Sequence, residues 1–318
     1  MTQQHRSGFV AIIGRPNVGK STLLNRLIGE KVAIVSHKPQ TTRNRILGIV
    51  NRPDYQIAFL DTPGVHKAKG QLNRMMVDTA LSAIADVDAV LFLIEAAARA
   101  DGTVEVGEGN KLILQKLKQS GKPTVLGINK VDAVPKKELV LPIIETYRAQ
   151  YPFAEIFPIS AQRGEGVEEL EKALVELLPE GPPLFPPEMV TDQAERFVVG
   201  ELVREQILAF CREEIPYSTA VVVDHFDESE REPEHPTARG RLGGLVRLDA
   251  TIFVERDSQK AIVIGKGGQM LKKIGAASRG QIERFLGAHV YLSLLVKVEK
   301  RWSERHDTLR RFGYGQQR

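Results

Sequence analysis

Cysteine is nearly absent from this chain of 318 residues: Cys211 stands alone. A single cysteine can form no intrachain disulfide, which fits a reducing compartment. Long apolar runs are missing too, and none approaches the ~18 residues of a membrane-spanning helix. The opening MTQQHRSGFV has no charged-then-apolar layout of a secretory signal. Nor is there an internal repeat. These absences predict a cytoplasmic protein. What is present, 42% hydrophobic and 26% charged residues, is ordinary globular material able to bury substantial cores. The length favours two domains, since single cores rarely grow past roughly 250 residues.

Charge is spread unevenly. Residues 257–318 hold 13 Lys and Arg against 5 Asp and Glu, a balance of +8, so with +4 overall residues 1–256 carry −4. A basic C-terminal fifth on a mildly acidic body points to a polyanion partner, RNA or an anionic membrane surface. A solvated helix face explains the same charge.

From residue 8 to 178 short β-branched runs alternate with helical stretches, the pattern of parallel βα units. The expected strands are Phe9–Ile13, Gln56–Leu60, Ala89–Ile94, Thr124–Ile128 and Ile156–Ile159. Their continuous apolar character predicts a mostly parallel sheet with helices on both faces. Residues 179–191, with five prolines between Pro179 and Pro187, can be neither helix nor central strand and read as a semi-rigid linker. Residues 192–318 form the second domain. Asp192 with Glu195 suggests a capped helix start, with Val199, Val203, Ile207, Phe210 and Cys211 as its apolar stripe. Two strands, Ala220–Phe226 and Leu245–Val254, flank a polar segment DESEREPEHPTARGRLGG expected to be an exposed, mobile loop. His225 and His235 near it have no partners at metal-ligand spacing. Two short helices around Gly268–Leu286, a strand His289–Val298 and a basic tail complete the expectation.

The chemistry is concentrated in short motifs. Gly14-Arg15-Pro16-Asn17-Val18-Gly19-Lys20-Ser21, followed by Thr22, matches the phosphate loop GxxxxGK[ST] between a strand and a helix. Its glycines let successive N–H groups turn inward on phosphate oxygens, and the helix adds its positive end. Lys20 supplies a point charge to the β- and γ-phosphates, and Ser21 a hydroxyl ligand for Mg²⁺. Asp61-Thr62-Pro63-Gly64 ends the strand YQIAFL. Its carboxylate can hold the Mg²⁺ shell, and the Gly64 N–H can contact the γ-phosphate. Asn129-Lys130-Val131-Asp132 ends the strand TVLGIN. The Asp132 carboxylate can accept from guanine N1–H and the 2-amino group, which adenine cannot supply, so the nucleotide is GTP or GDP. Ser160-Ala161-Gln162 can offer a backbone N–H to guanine O6. All four motifs sit at carboxyl ends of expected strands, where such sheets bind ligands. In HKPQTTRNR, Thr42 is preferred over Thr41 to complete the Mg²⁺ shell while the γ-phosphate is present.

GRPNVGKST, QTTR, DTPG, NKVD and SA together resemble the translation-factor-related GTPases of the Era and EngA group. That resemblance implies a P-loop GTPase fold and GTP hydrolysis over residues 8–178. Val65 follows the DxxG motif where Ras-like enzymes carry a water-orienting glutamine. An apolar side chain cannot orient water, so intrinsic hydrolysis should be slow. Asn17 matches the position that coordinates K⁺ in related potassium-activated enzymes, and a monovalent cation there can supply charge to the transition state. Lys20, Thr42, Gly64 and Asn17 are thus the expected catalytic set.

Residues 261–275, AIVIGKGGQMLKKIG, set Gly265-Lys266-Gly267-Gly268 between an apolar strand and an amphipathic helix, with Lys272 and Lys273 nearby. KH domains clamp about four nucleotides with such a GxxG loop. Ile262, Ile264, Met270, Leu271 and Ile274 read as core that packs the loop into place in preference to base contacts, and Trp302, among Lys300, Arg301 and Arg305, as a packing anchor in preference to a ring that stacks on a base or on arginine. The helix–strand–strand–helix–helix–strand order resembles an α+β type II KH domain. With VIGKGGQMLKKIG, FLGAHVYLSLLVKVEKRW and LRRFGY, nearly the whole chain is similar to the Era family. The resemblance implies a monomer that binds small-subunit ribosomal RNA near its 3′ end, assists assembly of the small ribosomal subunit, and associates peripherally with the inner face of the membrane. Two other readings stay open. A signalling GTPase with a lipid-binding basic end would need no GxxG loop. A non-enzymatic RNA chaperone would release no phosphate over multiple turnovers.

Overall fold

The computed structural model describes residues 5–36, 38–68, 70–97, 103–211, 215–232 and 242–315. Its contacts divide the chain into two units, Met1–Asp192 (with the last two residues) and Gln193–Gln316.

The first unit is built on six strands, β1 (Arg6–Gly14), β2 (Ile46–Asn51), β3 (Tyr55–Asp61), β4 (Ala89–Glu95), β5 (Thr124–Asn129) and β6 (Glu155–Pro158), in the order β2-β3-β1-β4-β5-β6. All neighbours are parallel except β2 and β3, which are antiparallel. Along β1 the period-2 alternation of side chains feeds two cores. Val10 and Ile12 join Leu23, Leu24 and Leu27 of α1 (Lys20–Ile28) and Leu170 and Leu174 of α5 (Val167–Glu176). Ala11 and Ile13 join the opposite cluster, which packs on α2 (Gln71–Ser82), α3 (Glu108–Ser120) and α4 (Val140–Arg148). Burial on both faces is why these strands read as uninterrupted apolar runs. β6 is the exception: an edge strand whose Glu155 and Pro158 are exposed.

β2 is an element that the sequence pattern did not suggest. It is a short edge strand, but its free side does not face water, because the proline-rich run lies along it. The Ile49 N–H donates to Val190 O (2.8 Å), Thr191 Oγ1 to Leu47 O (2.7 Å) and Asn51 Nδ2 to Met189 O (3.1 Å). Upstream, Ser7 N–H donates to Pro179 O and Gly181 N–H to His5 O. Gln56, buried, accepts from the Leu184 and Phe185 amides and donates to Phe185 O. Residues 179–191 are thus strapped to the first unit from the start of β1 to the edge of β2, a covering that blocks pairing with other chains.

The second unit runs α6 (Glu195–Phe210), β7 (Ala220–Arg231), β8 (Gly244–Val254), α7 (Asp257–Ile264), α8 (Gln269–Leu286), β9 (His289–Val298) and α9 (His306–Arg311). The sheet order is β7-β8-β9, with β8 antiparallel to β7 and parallel to β9. Several expectations need correction. Helix α6 begins at Glu195 with Ala194 as its N-cap and no side-chain cap, so Asp192 is not the capping residue. Nor is α6 amphipathic: Val198 to Leu208 are all buried, including Arg204, whose guanidinium is paired with Glu201 of the same helix. A stripe marks a surface helix, whereas this one is enclosed on all sides. Cys211 is core, at 2% exposure.

Strand β7 continues through Asp227–Arg231 and pairs with Gly244–Arg247, so the first five residues of the expected loop are strand. Its middle, His235 included, lies outside the described residues. Ala261–Ile264 are the last turn of α7, not a strand: a four-residue apolar run cannot distinguish the two, and here Gln259 and Arg256 form a capping box that starts a helix. Gln269–Leu286 is one helix of 18 residues, not two. Ile262 is 49% exposed and does not belong to the core, whereas Ile274 is fully buried.

The basic tail is folded. Trp302, fully buried, donates from Nε1 to Ser218 O (2.9 Å). Its ring lies near Phe312 and Tyr314, and Phe312 stacks on Phe253 of β8. Burying such aromatics contributes several kcal/mol in all, about 1.5–3 kcal/mol for a typical large apolar side chain. No described helix is long and apolar enough to cross a membrane.

Candidate functional site

The carboxyl ends of β1, β3 and β5 converge on one open cleft. β1 ends at Gly14; the loop then passes through Asn17, a non-glycine residue at φ 64°, and Gly19 at φ 100°, before α1 starts at Lys20. The left-handed backbone alone would favour glycine at 19, and packing requires it: a Cβ there would sit 2.2 Å from Asn129 Nδ2. Pro16, Asn17, Gly19, Lys20, Ser21 and Thr22 all line the cleft. Val18 is buried in the sheet core, and Arg15 points elsewhere, its guanidinium against Gly107 before α3.

Lys20 is 6% exposed and donates to the carbonyls of Gly14 (3.3 Å) and Arg15 (3.1 Å). Burial lowers its pKa to about 8, against an opposing pull from the Asp61 carboxylate. Asp61, at the end of β3, is fully buried, and burial raises its pKa despite Lys20 and its hydrogen bonds. Ser21 Oγ donates to Asp61 Oδ2 (2.7 Å), Thr42 Oγ1 lies 3.4 Å from the same oxygen, and the two hydroxyls are 3.0 Å apart. The other oxygen, Oδ1, is buried with no hydrogen-bond partner. Thr41 Oγ1 instead donates to Lys38 O (2.7 Å). The structure therefore joins Ser21, Thr42 and Asp61 in one oxygen cluster beside a buried ammonium.

The segment after Asp61 is held tightly. Thr62 Oγ1 donates to Ile12 O (2.8 Å), Pro63 is buried, and Gly64 packs so close that a Cβ would lie 2.6 Å from the Pro16 backbone. The Val65 N–H donates to Gly14 O (3.0 Å), and its side chain is fully buried in the sheet core. Val65 thus faces away from the cleft that Gly64 lines.

At the other end, Asn129 is a brace. Its Nδ2 donates to Val18 O (2.7 Å) and its Oδ1 accepts from Ala161 N–H (2.8 Å), tying the phosphate loop to the Ser160–Gln162 turn. Ser160 is buried beneath that turn, while Ala161 and Gln162 face the cleft. Lys130, at φ 68°, pairs with Glu95 (3.1 Å). Asp132 lies at the cleft, 3.8 Å from Arg163 Nε. Gln40, the first residue of the QTTR segment, also lines the wall; the sequence reading missed Ile34, Val35, Ser36 and Ala133, which line it too. No motif marks them; the 40% exposure of Val35, an apolar side chain, is visible only in the structure.

Residues 9–130 match the family described as 50S ribosome-binding GTPase, and residues 214–303 match the KH domain. GTPase Era of Geobacter metallireducens is 52% identical over 309 residues, 97% of this chain and 98% of that protein. The chain belongs to the Era GTPase family. A crystal structure of Era in complex with MgGDPNP and nucleotides 1506–1542 of 16S ribosomal RNA superposes with a TM-score of 0.88 at 41% identity, covering 98% of this chain and 99% of that one. A tyrosine-to-alanine variant of Aquifex aeolicus Era bound to GDP and AlF4⁻ gives 0.87 at 40% identity, covering 97% and 99%. The Era-family chain is therefore a GTPase with a P-loop nucleotide fold followed by a KH domain.

In the KH domain of this Era-family chain, Gly265 ends α7 at φ 72°, and a Cβ there would meet Met270 at 2.7 Å. Lys266–Gly268 make one 3₁₀ turn, and α8 starts at Gln269. Gly267, at φ 58°, faces open space. The loop thus presents exposed backbone and the exposed Lys266 at the N-terminus of an 18-residue helix, where anions are favoured. Lys272 is exposed on α8. Lys273 has another partner: its ammonium lies 4.2 Å from the centroid of the Phe210 ring.

Proposed function

We propose that this GTPase is a nucleotide-driven RNA switch that clamps small-subunit (16S) ribosomal RNA near its 3′ end and assists assembly of the small ribosomal subunit. The observation that carries the reading is one chain with both a GTPase cleft and a GxxG clamp, matched over 98% of its length by an Era in complex with MgGDPNP and a 16S rRNA fragment.

In this reading Mg²⁺ is the cofactor. The donor set fits, since two hydroxyls and a carboxylate are the hard oxygens that Mg²⁺ prefers, and the buried Asp61 Oδ1 has no protein partner to lose. Ser21, Thr42 and Asp61 would hold the ion, which supplies positive charge to the β- and γ-phosphate oxygens. Lys20 adds its ammonium from below, the backbone of residues 15–20 cradles the phosphates, and the Gly64 N–H donates to the γ-phosphate. Asp132 accepts from guanine N1–H and the 2-amino group. Because Val65 is buried, no side chain at that position can align the attacking water, and intrinsic hydrolysis is slow. Asn17 supplies an oxygen for K⁺ at the phosphate loop. Replacing Na⁺ with K⁺ is expected to raise kcat severalfold, read by phosphate release; equal rates in the two salts remove the cation from the mechanism.

Gly265, Lys266, Gly267, Gly268 and Lys272 form the RNA clamp; Lys273 contributes through its hold on Phe210. The test is GTP hydrolysis with and without a single-stranded oligonucleotide from the 3′ end of 16S rRNA. Stimulation is expected in the wild type and lost in Gly267→Asp. Asp tolerates the left-handed backbone better than most residues and meets no neighbour here, so the fold survives while a carboxylate repels the RNA backbone. No binding of that oligonucleotide would refute the RNA assignment and leave the GTPase standing.

A further inference from the structure

Helix α1 does more than present Lys20 and Ser21 to phosphates. Less than two turns further along, Arg26 reaches across to the turn after β6. Its Nε donates to Ala161 O (2.5 Å) and its Nη2 to Gln162 O, a fork on two successive carbonyls. Gly164 closes the same turn at φ 89°, and a Cβ there would lie 2.9 Å from Arg26 Nη1, so the guanidinium lies flush against the turn. No carboxylate pairs with Arg26 among the described residues; the two carbonyls are its partners.

The opposite side of the turn is pinned as well. Ala161 N–H is taken by Asn129 Oδ1, Arg163 N–H by Ser160 Oγ, and Gly164 N–H by Ser160 O. Among the described residues nothing accepts from the Gln162 N–H, the donor this turn leaves at the cleft. It belongs to the same peptide group as Ala161 O, the carbonyl that Arg26 grips. A cation on a carbonyl oxygen polarises its amide and makes that N–H a stronger donor, as in any hydrogen-bonded chain. Arginine suits this task because its planar fork holds two acceptors at once, where an ammonium is a single point charge.

We infer that Arg26 is a positioning residue for base recognition, fixing and polarising the Gln162 amide that reads guanine O6. This rests on the assignment of the Ser160–Gln162 turn to the base. It links the two ends of the nucleotide, since one helix holds the phosphate ligands and, through Arg26, the base reader.

Two ratios of dissociation constants test it, GDP against 6-thio-GDP, which replaces the O6 acceptor by sulfur and is measured at mildly acidic pH so that its more acidic N1–H stays protonated, and GDP against IDP, which lacks only the 2-amino group. Arg26→Ala is expected to bind GDP and GTP up to about tenfold more weakly, the upper order for one neutral hydrogen bond. It should lose most of the wild-type preference for GDP over 6-thio-GDP and keep its full preference over IDP. Arg26→Lys, with one donor site in place of the fork, falls between. Thermal unfolding of both nucleotide-free variants verifies the fold. A wild-type protein that does not distinguish GDP from 6-thio-GDP would overturn the O6 reading itself. A preserved thio ratio in Arg26→Ala, or loss of both ratios together, would leave that reading intact and overturn the role of Arg26.

Discussion

Asp132→Asn is expected to weaken GTP binding by about 10⁴-fold, the scale on which a site built for a substrate hydrogen bond rejects a partner that cannot make it. In the proposed reading the carboxylate accepts two hydrogen bonds, from the N1–H and the 2-amino group of guanine. An amide can accept only one and turns its NH₂ toward the base amino group, donor against donor. Xanthine carries a carbonyl where guanine carries the amino group, so the variant should gain xanthosine triphosphate as a substrate. The fold should be indifferent. Asp132 sits in a surface 3₁₀ turn, and its ion-pair partner Arg163 is 63% exposed at 3.8 Å, a contact of negligible stability. Competition binding with both triphosphates, followed by xanthosine triphosphate hydrolysis, gives the result. If Asp132→Asn retains GTP and rejects the xanthine nucleotide, Asp132 is not the base-reading residue.

Nucleotide affinity should also have a pH optimum set by two buried groups. Without nucleotide the Lys20 ammonium has a pKa of about 8, lowered by burial. Phosphate oxygens beside it favour the charged form, so in the complex its pKa is higher. Below pH 8 Lys20 is charged in both states and adds no pH dependence. Above pH 8 binding must take up a proton, and affinity should fall about tenfold per pH unit until the pKa of the complex is reached. Asp61 sets the other limb. Burial raises its pKa, and it must be ionised to hold a divalent cation, so affinity should fall as pH drops through that raised value. Isothermal titration of GDP with Mg²⁺, run from the acid side up to a pH at which guanine N1–H is still protonated, would record both limbs, and buffers of different ionisation enthalpy would count the protons. Lys20→Met should bind more weakly at neutral pH and lose the alkaline limb altogether. An alkaline limb that survives in Lys20→Met would assign it to another group.

The phosphate loop, the DTPG and NKVD segments and the GxxG clamp were legible because each works through consecutive residues. A loop that aims successive N–H groups needs its glycines at fixed local spacing, and local spacing is what a sequence displays. The β1, β3, β4 and β5 strands were legible for the same reason, as runs buried on both faces. The Ala261–Ile264 run misled because four apolar residues suit either a helix end or a strand, and the capping box at Arg256 lies outside the run. Strand β2 was missed; what covers its free edge is a partner about 140 residues away, the strap ending at Thr191.

The order of domains, the GTPase chemistry and most of the residues that line the cleft could thus be read from the chain alone. How those residues are held became visible with the folded chain. The Asn129 brace spans 111 residues to Val18, the Arg26 grip spans 135 to Ala161, and the burial of Val65 depends on helices packed from elsewhere in the chain. Such contacts join residues brought together by the sheet order β2-β3-β1-β4-β5-β6, and no local pattern carries a signal for partners that meet only after the chain has folded.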